Sequence, residues 1–144
     1  MTQQTKDSDR ARQADQATHQ ARHADHENLL AQSKQVTVDV KAEIARLKSE
    51  PAWASGDRHG TSLVKGDGIN VALMLLKKGA KLQEHHTRAP ITAHVLEGRI
   101  NFIANGKPHI LTAGMLLALD RAIAHSVEAL EESAMVLTVG GEQI

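Results

Sequence analysis

Between Thr61 and Val139, short apolar runs alternate with turn-forming residues at near-regular spacing, and this punctuation limits the fold more than any other feature of the chain. The runs are Thr61–Lys65, Ile69–Leu76, Ile91–Leu96, Arg99–Ala104, His109–Leu111, Met115–Leu119, His125–Leu130 and Ala134–Val139. Gly66-Asp67-Gly68, Lys78-Gly79, Glu97-Gly98, Asn105-Gly106, Ala113-Gly114 and Asp120-Arg121 fall between them. Regularly spaced short strands predict a sandwich or a single all-β barrel. Asn105-Gly106 is the sharpest local signal. Both central positions of a two-residue hairpin need positive φ, and Asn-Gly accepts it at little cost.

Residues 57–144 are therefore read as the barrel and residues 36–56 as a helical piece packed on it. Asp39 is a good helix N-cap, Val40, Ile44 and Leu47 recur at helical spacing, and Pro51 disfavours helical backbone at Glu50. A helix is predicted from about Val40 to Ser49, with its apolar stripe and Trp53 closing one end of the barrel. Residues 1–35 read differently: between Thr2 and Asn28 there is no Val, Ile, Leu, Met, Phe or Trp. Such a stretch buries too little apolar surface to offset the entropy of ordering it, so it is predicted to be a polar tail. Its alanines (Ala11, Ala14, Ala17, Ala21, Ala24) would suit a frayed helix, on which His19, His23 and His26 would share a face.

A chain of 144 residues fits one domain. Seventeen Lys plus Arg balance seventeen Asp plus Glu, so no long-range field favours nucleic acid or anionic lipid, and one Phe, one Trp and no Tyr leave no stacking platform for bases. No cysteine is present, which excludes disulfides, thiolate nucleophiles and Cys-ligated metals. No apolar run is long enough to span a bilayer, and the expected location is cytoplasmic with no membrane partner.

Two motifs carry a resemblance. Gly79, five residues, His85-His86-Thr87, Ile91 and then Gly98 resembles the first cupin motif, a Gly, five residues, His-x-His, three or four residues, Glu, six residues, Gly. Gly114 through His125 is similar in spacing to the second, Gly, five residues, Pro-x-Gly, two residues, His, three residues, Asn. Gly79, His85, Gly98, Gly114 and His125 fit. Thr87 stands at the second His, Ile91 at the Glu, Asp120 at the Pro, Ala122 at the second motif's Gly and Ala129 at its Asn. The chain is thus similar to small single-domain bacterial cupins of the RmlC-like jelly-roll superfamily, with two of the four family metal ligands replaced. The resemblance implies a homodimer and a site inside the barrel.

Strand alternation sends Thr87 to the same face as His85 and His86 to the other, unless a bulge near Arg88-Ala89-Pro90 exchanges them. The candidate ligand-binding residues are His85, Thr87, Ile91, Arg88 and His125, beside an interior of Leu73, Leu75, Ile91, Ala93, Val95, Leu117 and Leu119. A divalent metal (Mn, Fe, Ni or Zn) would rest on His85 and His125, with His86 or His94 as further candidates. The alternative is that the two histidines line the barrel, bonded to each other, to water or to Thr87. Arg88 or Arg121 would anchor an anion. His59 and His109 are read as solvated. Three functions remain open: a small-molecule binder; a metal-dependent isomerase, lyase or dioxygenase acting on a small organic acid or ketone; and a non-catalytic dimeric interaction module.

Overall fold

The computed structural model describes residues 35–140. The polar tail with His19, His23 and His26 lies outside the described residues.

The described chain begins with helix α1, Val40–Lys48, where Asp39 accepts the Ala42 N–H at 3.0 Å and so satisfies one of the orphan donors of the first turn. Pro51 does end this helix, but it also occupies the first position of a second one, α2, Pro51–Ser55, where its missing N–H is no loss. Nine antiparallel strands follow: β1 Arg58–Lys65, β2 Ile69–Leu76, β3 Lys81–His85, β4 Ile91–Glu97, β5 Arg99–Ala104, β6 Lys107–Thr112, β7 Leu116–Leu119, β8 His125–Ala129 and β9 Ser133–Gly140. They form a five-stranded sheet in the order β1-β2-β9-β4-β7 and a four-stranded sheet in the order β3-β8-β5-β6. The protein is all-β, two sheets closing on a shared core, with a small helical part on its N-terminal side.

The β5–β6 hairpin turns at Asn105 and Gly106 with φ of 52° and 79°. Gly98, between β4 and β5, is required for a different reason. At φ 85° a Cβ there would lie 2.2 Å from the Glu132 carbonyl oxygen and 2.3 Å from Ser133 Oγ, so only glycine lets the two turns touch. Across that contact Ser133 Oγ accepts the Arg99 N–H at 3.0 Å.

Two hydrophobic cores share the larger sheet. One lies between the sheets and includes Met74, Leu76, Ile91, Ala93, Val95, Ile100, Phe102 and Met135. The other lies between the larger sheet and the helices and joins Ile44, Leu47 and Trp53 to Leu63, Leu73, Leu75 and Ala134. This corrects the expected interior: Leu73 and Leu75 face the helices, while Ala72, Met74 and Leu76 alternate to the inside. With both faces of β2 covered, its residues are apolar on both sides and the alternation that would fix its orientation disappears.

His59 is a second correction. It is only 1% exposed, and its Nε2 lies 2.8 Å from Glu50 Oε1 at the start of α2. Arg46 of α1 reaches the other oxygen of Glu50 at 3.1 Å. A buried polar ring needs such a partner, and the partner comes from the helical segment. His109, by contrast, is exposed, with its Nδ1 3.2 Å from the Phe102 carbonyl oxygen. Lys48, at the end of α1, reaches Glu97 at 3.3 Å and Glu132 at 3.2 Å and ties the helix to two strand turns. Among the described residues no helix is long and apolar enough to cross a membrane.

Candidate functional site

His85 ends β3 and His125 begins the neighbouring β8, and the two are register partners across the ladder. Their rings meet edge to face with centroids 4.4 Å apart. The Phe102 ring, from β5 on the other side of β8, stacks on His125 at 5.6 Å and 20°. His125 is 4% exposed and His85 half-buried.

Both rings are fastened by the same local device. His85 Nδ1 is 3.0 Å from the carbonyl oxygen of Gln83, and His125 Nδ1 is 2.9 Å from that of Ile123, in each case two residues upstream. A carbonyl oxygen only accepts, so each Nδ1 carries the proton. Burial, the largest influence on His125, holds its pKa below the ordinary imidazole value; the hydrogen bond to Ile123 opposes this, and His85 and His86 add to it. His125 is therefore neutral at pH 7.

The pair sits at a cavity between the sheets with about 130 Å³ of room for the centres of water-sized molecules. A single water needs only about 10–15 Å³ by that measure, so the space suits a small organic molecule. Its walls are apolar: Met74, Ile91, Phe102, Val127, Met135 and Leu137. Polar groups come from His85, His125, Thr87 and Gln83, and among the described residues no Lys, Arg, Asp or Glu lines the cavity. The ladder is irregular between Leu82 and His85, and through that irregularity both Leu82 and His85, of opposite parity, reach the cavity.

Of the residues expected at the site, His85, Thr87, Ile91 and His125 line this one cavity. Arg88 is exposed and is not among its lining residues, and His86 is exposed just beyond the end of β3. His94 alternates to the face of β4 opposite Ala93 and Val95, in register with Val136 and Leu116. Thr87 directs its hydroxyl proton to the Ala89 carbonyl at 2.8 Å. Among the described residues no three His, Cys, Asp or Glu side chains come together in a group that could hold a metal ion. A resident divalent ion needs three or four good donors, and the two imidazoles beside Thr87 and Ile91 fall short of that set.

Phe102, Gln83, Met74 and Met135 were not among the expected site residues. Alternation along Arg99–Ala104 carries a signal for Phe102, since Ile100, Phe102 and Ala104 share a face. Gln83 shares the parity of His85, so alternation carries a signal for it as well, although the polar run Lys81–His85 does not mark itself as a strand.

The loop before His125 completes the site's frame. Ala122 donates its N–H to the Thr87 carbonyl at 2.8 Å and has φ of 66°, a left-handed conformation that disfavours any residue with a Cβ. Asn105 donates to Ala124 at 2.8 Å.

Comparison with known proteins places the barrel. Residues 72–140 match a family model described as Cupin domain. An RmlC-like cupin from Shewanella frigidimarina superposes with a TM-score of 0.57 at 19% identity, covering 61% of this chain and 79% of that one. KdgF from a Halomonas species gives 0.57 at 15%, covering 60% and 81%. A Cupin 2 conserved barrel domain protein from Leptotrichia buccalis gives 0.57 at 28%, covering 59% of this chain and 41% of that one. No functionally curated protein matches the chain.

Proposed function

Since the chain is a cupin jelly-roll protein, we propose that it binds a small organic molecule inside the barrel, held against the His85–His125 pair. The observation that carries this is the cavity itself: apolar walls with a few convergent polar groups at one end are the usual form of a ligand pocket. Thr87 and Ile91 stand beside the pair where the family motif has metal ligands, so the retained histidines serve the ligand directly.

The test is a metabolite thermal-shift screen of the wild type and of Ala72→Phe, which fills the cavity from β2. Ligands that raise the melting temperature of the wild type are expected to leave Ala72→Phe unmoved. A hit list unchanged by the filled cavity would sink the reading. Protein purified without a histidine tag is expected to carry far less than one equivalent of Mn, Fe, Ni or Zn by elemental analysis. Stoichiometric metal lost on His125→Ala would favour a metal-dependent enzyme instead.

We also infer a homodimer. Strand β7 is at the edge of the larger sheet, with Leu116 60% exposed and the preceding Met115 44% exposed, an apolar edge of the kind proteins ordinarily cover.

A further inference from the structure

We infer that the molecule held in the cavity is neutral and presents a hydrogen-bond donor, an alcohol or a phenol on an apolar body, rather than an organic acid or a ketone. The inference rests on the reading of the cavity as a ligand site and specifies what enters it.

Three observations combine. The Nδ1 atom of His125 is committed as a donor to the Ile123 carbonyl, 2.9 Å away, so in its neutral ring the nitrogen left to meet a ligand is Nε2, a lone pair. His125 is nearly closed off from solvent, and its two ring neighbours are another imidazole and Phe102, neither of which helps a positive charge to settle there. Among the described residues, the remaining lining is apolar or carries an amide or hydroxyl, without a Lys or Arg.

A carboxylate entering this chamber would shed its hydration and meet the lone pair of the buried His125, an acceptor facing an acceptor. A ketone would avoid the charge but would leave the imidazole acceptor unmatched. An O–H satisfies it, and the apolar body replaces water along Met74, Met135 and Leu137.

Three probes with one body separate these possibilities: cyclohexanol, cyclohexanone and cyclohexanecarboxylate, titrated into the full chain at pH 7.5. The readout is the methyl spectrum of protein labelled with [methyl-¹³C]methionine. Met74 and Met135 line the cavity, while Met115 is exposed outside it and serves as a control. Cyclohexanol is expected to shift Met74 and Met135 saturably, with affinity about tenfold above either of the others, the worth of one hydrogen bond. Equal or tighter binding of the ketone or the carboxylate at the same two methyls would overturn the donor inference and leave the ligand site standing. If no probe moves either methyl, and a wider series of alcohols and phenols does not, the ligand site falls with it. Imidazole ¹⁵N spectra give an independent check. Protonation of His125 at Nε2 in the free protein would overturn the donor inference alone.

Discussion

His125 joins the site's chemistry to its stability. Burial lowers its pKa in the folded chain, whereas the unfolded chain takes up the proton near 6.5. Above that pH both states are neutral and nothing is lost. As pH falls from about 6.5 toward the lower native value, the unfolded state binds the proton first and stability declines; below the native value the loss stops growing. Urea denaturation at pH 7.5 and 5.5 is expected to show this decline in the wild type and a smaller one in His125→Gln. The difference between the two belongs to His125, because the other histidines are common to both proteins. Ala122 is the second residue of interest. Its φ of 66° is paid by a methyl group where the family motif has glycine. Ala122→Gly is expected to stabilise the fold by about 0.5–1 kcal/mol, read as a higher urea midpoint at unchanged slope. The two histidines were legible in the sequence because spaced glycines fix their places on the strands. The burial of His59 was not, because its partner Glu50 lies in another element and only the tertiary fold brings them together.

At the scale of elements, β2 and β5 run over the residues their sequence patterns indicate, Ile69–Leu76 and Arg99–Ala104, since each is bounded by turn residues on both sides. Strand β3 was missing from the expected strands. Lys81, Gln83 and Glu84 are exposed in it, so the hydrophobic pattern that marks a strand is absent. Helix α2 was hidden by Pro51, whose two roles, ending one helix and starting the next, look alike in sequence. The helical pair nevertheless closes the second core, with Leu47 wholly buried against the larger sheet. Leu47→Ala is expected to cost about 2–5 kcal/mol in urea denaturation, through lost burial and the space left behind. Because that core is on the far side of the sheet from the cavity, ligand-induced chemical shifts at Met74 and Met135 should persist in the variant under native conditions.

For the molecule as a whole, the exposed apolar edge at β7 decides what the barrel does in company. Sedimentation velocity is expected to show a dimer for the wild type, and Leu116→Lys is expected to shift it to monomer, a charge on an edge strand being a barrier to pairing. A monomeric wild type would count against the homodimer. The larger sheet also separates two tasks. One of its faces is held by α1 and α2 through Leu63, Leu73 and Leu75, and the other borders the cavity through Met74, Met135 and Leu137. Substitutions on the cavity side leave the helix-backed packing untouched. A lineage built on this plan is free to exchange one ligand for another by altering alternate positions of two strands, while their remaining positions preserve the scaffold. Neighbouring residues along β2 and β9 thus answer to different selective pressures, and divergence between close descendants is expected to appear with a period of two.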